Sequence, residues 1–361
     1  MPSLAVFAFV WNRPRTCRGR ICVWQIYLLF PKLRRVLTRL QLERCQILFY
    51  LVAITFGATL GWNVPSVAPV LETLLWPVLA SLLYVTFAQV PLLELRGMIG
   101  HGRFLAALLL VNFIVVPPLA WLLARFLPPD PVILLGVYLV LLAPCTDWFV
   151  SFTLLGKGDA RLAIAATPVL LLAQMFLLPA WLWLFLGGEL AGVVRTGKFL
   201  EAFLGLIVLP LLLVAITEAA ARRSRLCARW LQLTAWLPVP LLALTVLLIA
   251  GAQIRAVSGS WGLLGATAVF IVFAAIVPFP ARFVARRFGL AAVEQRTVIF
   301  SAGTRNSFLV LPLALALPAG WELAAAIIVL QSLVELGAMI AYLWWIPSHV
   351  VVADTSPVIQ E

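Results

Sequence analysis

Residues 131–156 read PVILLGVYLVLLAPCTDWFVSFTLLG. At ~1.5 Å of rise per residue, a helix of this length crosses the ~30 Å hydrocarbon core of a bilayer. Turn-forming residues bound it on both sides, Pro128-Pro129-Asp130 before and Gly156-Lys157-Gly158-Asp159 across its end. Its centre, Leu142-Ala143-Pro144-Cys145-Thr146-Asp147-Trp148, is wrong for a plain membrane helix. Pro144 removes a backbone donor and clashes one turn back. An acid such as Asp147 costs about 2.5–3.5 kcal/mol at the middle of a span. The stretch therefore predicts a membrane helix interrupted at mid-depth.

A second stretch of the same kind lies at 292–318, interrupted by Ser301-Ala302-Gly303-Thr304-Arg305-Asn306-Ser307. Gly303 weakens the helix, and Thr146, Thr304, Asn306 and Ser307 offer side-chain partners to freed backbone groups. Non-helical backbone at membrane depth survives only where protein buries it or where it lines a wet cavity. Two such breaks predict one shared central site, at which half-helix ends supply partial charge.

The rest of the chain supports a lipid environment. Of 361 residues, 64% are hydrophobic and 11% charged, with a mean hydropathy of +1.09, outside the range of soluble domains. Ten spans are expected, near 46–62, 67–92, 104–127, 131–156, 160–187, 199–219, 230–252, 259–281, 292–318 and 321–346, joined by short loops with no inserted soluble domain. This is an all-α integral membrane fold. Basic residues alternate in number from side to side of these spans: 21 fall on the side of both termini, four (Arg125, Arg195, Lys198, Arg255) on the other, and Arg305 within a span. The positive-inside rule then places both termini in the cytoplasm, and the expected location is the plasma membrane, the inner membrane if the source is bacterial. The net charge of +12 reads as topology and contact with anionic lipid, and nucleic acid is not expected as a partner.

Residues 1–45 form a basic cytoplasmic extension, in which two short apolar stretches flank an Arg-rich segment; it reads as a targeting-like or interfacial element, or as translation from an upstream start. Residues 348–361 form a cytoplasmic tail. Five cysteines without clustered spacing predict neither a disulfide framework nor a bound metal.

Ten spans divide into two sets of five, 46–188 and 189–347, and an odd-numbered set must re-enter from the opposite face, so the two form inverted repeats. Spans four and nine are their matching broken, crossing members. Arg305 there supplies a fixed positive charge and Asp147 a titratable group, or the two pair as a structural salt bridge; both hold together if protonation breaks the pair as a gate. Cys145, beside the break, is a soft ligand for a thiophilic solute or a packed thiol. Gln174 and Gln331 follow the two breaks by similar intervals, and Glu335 lies one turn beyond Gln331. With Pro144 and Gly303 they support the site. Asn112 and Glu72 carry less weight, Glu72 as an interfacial residue.

At these residues a resemblance enters. The run from Ala143-Pro144-Cys145-Thr146 to Gly156-Lys157-Gly158-Asp159, and that from Gly303-Thr304-Arg305-Asn306 to Leu311-Pro312-Leu313-Ala314, resemble the two signature segments of the bile acid:sodium symporter superfamily, which includes the arsenite-efflux permeases. The resemblance covers residues 46–347. It implies ten helices in inverted repeats of five, a core and a panel domain, and transport at the crossing of the broken helices. Pro144-Cys145-Thr146 is similar to the arsenite permeases, whose cysteine here is associated with trivalent arsenic. Those permeases carry a glutamate in span nine where this chain has Phe308, so Asp147 is expected to take over the proton. The sodium-coupled branch has a Ser-Asn pair in span four and Glu plus Gln in span nine; this chain offers Phe149, Val150, Ser301 and Arg305. Hydrocarbon and a guanidinium cannot ligate Na⁺. Arg305 stands in for the missing charge.

The expected function is secondary transport: efflux of arsenite or a related small (oxy)anion, coupled to H⁺ rather than Na⁺ or uncoupled, with no cofactor. Substrate would meet Cys145, Thr146, Thr304, Arg305, Asn306 and Ser307, and Asp147 and Glu335 would carry the coupling. The alternative is carriage of a small organic anion whose carboxylate meets Arg305 and the half-helix N-termini. An intramembrane enzyme is disfavoured by the lack of any His-Glu-x-x-His, Gly-x-Ser-x-Gly or paired-aspartate motif, and a receptor by the short external loops.

Overall fold

The computed structural model describes residues 39–89, 100–146, 148–194, 203–257, 261–315, 317 and 320–351. The extension over residues 1–38 and most of the C-terminal tail lie outside the described residues, as does Asp147. Among the described residues the structure is helical, and the one β-like feature is an isolated bridge.

The helices run in chain order as α1 (Arg39–Asn63), α2 (Ala68–Phe87), α3 (Gly102–Ala124), α4 (Pro131–Leu141), α5 (Trp148–Leu155), α6 (Ala160–Val194), α7 (Leu209–Ala221), α8 (Arg225–Thr234), α9 (Pro238–Val257), α10 (Trp261–Ile276), α11 (Pro278–Arg287), α12 (Ala292–Gly303), α13 (Ser307–Leu315) and α14 (Glu322–Trp345). Among the described residues, five stretches are long and apolar enough to cross a membrane: Pro65–Phe87, Gly102–Ala124, Ala160–Gly187, Gly262–Arg287 and Glu322–Val350. The pair α8 and α9, bent by 51° at the break between them, makes a sixth. Large apolar side chains such as Phe126, Phe176, Trp183, Ile216 and Trp344 stand outward. Apolar groups face outward at no cost only where the surroundings are lipid.

The helices pack in two groups that draw on both ends of the chain. In one, α9 lies against α1 and α2, and α7 joins α2 and α8; in the other, α14 lies against α4, α10 and α13, while α12 packs on α3, α5, α6 and α11. Contacts of α14 with α9 and of α13 with α2 join the groups. Between α1 and α9 the backbones nearly touch. A Cβ on Gly57 would fall 2.2 Å from Leu247 O, and one on Gly61 1.9 Å from Gly251 O. Small residues at this four-residue spacing permit the backbone approach that drives helix association in lipid.

Two span boundaries differ from expectation. The span placed at 230–252 straddles the bend: α8 stops at Thr234 and the membrane helix begins at Pro238, because Pro238 and Pro240 have no N–H to continue the helical bonding across this turn and disfavour helical geometry just before them. The span placed at 259–281 continues as helix through Pro278, at the first turn of α11, to Arg287. Proline at a helix start lacks only a donor that would be idle there anyway.

Candidate functional site

α4 begins with a side-chain cap, Asp130 accepting from Val132 N at 2.8 Å ahead of Pro131. It stops at Leu141, and helix resumes at Trp148. α12 begins with Glu294 accepting from Ala291 N at 2.8 Å and stops at Gly303. Thr304 is extended (φ −101°, ψ 137°), its hydroxyl donating to Phe300 O at 2.8 Å. α13 restarts at Ser307, capped by Asn306, whose Oδ1 accepts from Leu309 N at 3.2 Å.

The two breaks satisfy each other. Pro144 and Arg305 form an antiparallel bridge, in which Cys145 N donates to Thr304 O at 3.2 Å and Asn306 N to Ala143 O at 2.7 Å. A backbone amide released from a helix inside the hydrocarbon has no water to bond. Each interrupted segment is therefore the other's hydrogen-bonding partner, and neither break is tenable alone. Asn306 Nδ2 adds a bond to Thr146 Oγ1 at 3.2 Å.

α14 braces the crossing from one side. Glu335 Oε2 accepts from Arg305 N at 2.8 Å and from Gln331 Nε2 at 2.7 Å, and Ser307 Oγ donates to Gln331 Oε1 at 2.6 Å. All four residues are buried. A side chain of any size at residue 303 would meet the Tyr342 ring 2.5 Å away, so Gly303 lets α14 come this close.

The Arg305 side chain, 2% exposed, turns into the protein. Nη1 donates to Leu141 O at 3.1 Å, and Nη2 lies 2.9 Å from Asn112 Oδ1, 2.9 Å from Ser301 O and 2.6 Å from Ala302 O. The Phe273 ring covers one face, 5.6 Å from the guanidinium carbon. Nε is buried and has no hydrogen-bond partner among the described residues.

The structure thus brings together Pro144, Cys145, Thr146, Gly303, Thr304, Arg305, Asn306, Ser307, Gln331 and Glu335. Gln174 is fully buried on α6, but among the described residues neither end of its carboxamide has a hydrogen-bond partner. The expected pairing of Asp147 with Arg305 lies outside the described residues. Asn112, given little weight from sequence, belongs at the centre: besides accepting from Arg305, it donates to Leu108 O and to Ser301 Oγ, each at 3.0 Å. The signal was a lone carboxamide in an otherwise apolar span, just ahead of Pro117-Pro118. There the helix widens into a π turn over Val111–Val115. Glu72 stands exposed on α2, as expected of an interfacial residue. No cluster of three or more metal-ligating side chains occurs among the described residues.

A helical membrane bundle whose polar interior is the crossing of two interrupted helices has the architecture of a solute carrier. The sequence profile of the sodium bile acid symporter family matches residues 76–260, just over half of the chain, and the chain belongs to that family. Its members are transporters, not enzymes. An uncharacterized protein of Pseudomonas aeruginosa is 27% identical over 231 residues, covering 59% of this chain and 66% of that protein, so the match spans just under two thirds of the relative's length. The family's name implies sodium. The oxygens converging at the crossing already bond the Arg305 guanidinium, and a sodium ion does not fit among them while that side chain is in place.

Proposed function

We propose that this chain is a secondary active transporter that exports arsenite or a related small (oxy)anion across the plasma membrane. The carrying observation is a buried crossing of two helix breaks at which a cationic side chain keeps one donor, Arg305 Nε–H, without a partner among the described residues. A buried donor without an acceptor costs about 1–3 kcal/mol, which an anionic solute would recover on binding. Thr146, Thr304, Asn306 and Ser307 line the same crossing with hydroxyl and amide groups. The Cys145 thiol suits trivalent arsenic, a soft centre. One thiol makes a weak site, as a carrier that must release its cargo requires.

The proposed scaffold is ten spans, with 46–188 and 189–347 as inverted repeats of five that place spans four and nine as matching broken helices. Both termini face the cytoplasm, in keeping with the basic side chains of the intervening loops. Coupling is to protons through Asp147, or absent, with Glu335 holding the break of span nine in register. Alternating access then rocks the group containing α1, α2 and α9 against the group containing α12 and α14.

The test is arsenite resistance conferred on an arsenite-sensitive host, together with arsenite flux into inverted vesicles under imposed pH or sodium gradients. Cys145→Ser is expected to lower flux at least about tenfold, the factor that 1.4 kcal/mol of lost contact carries. Unchanged resistance in that variant would remove the thiol from the mechanism and favour a small carboxylate as the cargo.

A further inference from the structure

The four oxygens around the Arg305 guanidinium come from three helices, and three of them are backbone carbonyls. Leu141 is the last residue of α4, and Ser301 and Ala302 lie in the last turn of α12. The negative ends of two half-helices therefore aim at one point, each with carbonyls that have no partner in their own helix. Converging carbonyls and a carboxamide oxygen make the all-oxygen shell that hard cations take. Here the shell encloses a planar guanidinium held by its own backbone, 2% exposed and roofed by Phe273. Being tethered, this cation cannot dissociate during a transport cycle. A second cation in the same shell would face its charge at contact distance in a medium of low dielectric.

We propose that this shell is a cation site permanently filled by Arg305, so that the protein needs no sodium ion to hold its crossing together or to complete its cycle, in departure from what its family name implies. The inference rests on reading the crossing as the transport site, and it deepens that reading by replacing a coupling ion with a covalent one. Arg305 is then the residue that determines ion dependence, and its removal uncovers a site for a free monovalent cation.

The experiment uses the full chain purified in detergent and compares thermal unfolding in sodium chloride with choline chloride at equal ionic strength. It adds low-millimolar guanidinium chloride, well below denaturing concentrations. Wild-type protein is expected to melt at the same temperature in all three. Arg305→Gln and Arg305→Ala are expected to melt lower in choline and to recover, saturably, with sodium for the first and with guanidinium or sodium for the second, as binding to the folded state alone requires. A saturable sodium-dependent rise in wild-type Tm would overturn the proposal. So would folded variants that respond to neither cation. Should neither variant survive purification, radioactive sodium binding to the wild-type chain decides alone, retention overturning the idea and its absence supporting it. No step uses a transported solute, so absence of arsenite flux would sink the proposed cargo and leave this result standing.

Discussion

Asn112 shows how much a single side chain holds at the crossing. Its Oδ1 accepts from the guanidinium at 2.9 Å while its Nδ2 donates to Leu108 O and Ser301 Oγ. Every end of the carboxamide is used, which fixes its orientation and the position of Arg305. Asn112→Leu keeps the volume and strips a buried charge of an acceptor, and it is expected to destabilise the protein by about 1.5–3 kcal/mol, the range for hydrogen bonds to charged groups. Ser301→Ala removes one neutral bond and should cost about 1 kcal/mol. Unfolding of the two variants side by side checks this; equal losses would mean that the guanidinium does not depend on Asn112. Sequence marks Arg305 as costly at depth and offers Asp147, outside the described residues, as its partner, but gives no sign of the carbonyls and Asn112 that bond the guanidinium. Glu335, placed beside Gln331 by helical spacing, bonds the backbone N–H of Arg305, while the guanidinium Nη atoms bond carbonyls and Asn112.

At the scale of elements, each break is explained locally and stabilised by the other. Pro144 and Gly303 are reasons for α4 and α12 to stop, and Asn306 is a reason for α13 to begin. The pairing of Cys145 N with Thr304 O converts two weaknesses into one joint. The α1–α9 contact is the second element-level feature, and it rests on glycine. Gly57→Leu or Gly61→Leu would push side-chain atoms into the backbone of α9, with an expected cost of about 1–3 kcal/mol or more. Gly337, on α14, has open space where a Cβ would go, so Gly337→Ala should be neutral or stabilise by about 0.4–1 kcal/mol. Melting temperatures of the three variants separate the cases, and a neutral Gly61→Leu would mean that α1 and α9 do not meet as closely as described.

For the whole molecule, the sidedness of the basic residues predicts an orientation that the fold alone leaves open. In a background with Cys17, Cys22, Cys45 and Cys227 replaced by serine, a cysteine at the exposed position of Pro129 should react with a membrane-impermeant maleimide added to intact cells. One at the exposed position of His101 should react only after the membrane is opened. The reverse pattern would invert the topology and turn an exporter into an importer.

The chain by itself determined that the solvent is lipid, where most helices lie, and which two of them break. Apolar run length, proline, glycine and the cost of a charge at depth all act within a few residues of the positions that carry them. It did not determine that α8 and α9 bend against each other by 51°, that α9 packs with α1 and α2, or that Asn112 joins Arg305. Those depend on which freed donor meets which freed acceptor across 150 to 200 residues of chain, as Cys145 meets Thr304 and Arg305 meets Leu141. A helix's need for a partner is written locally, and the choice of partner is made by packing, where every buried polar group must be matched at once.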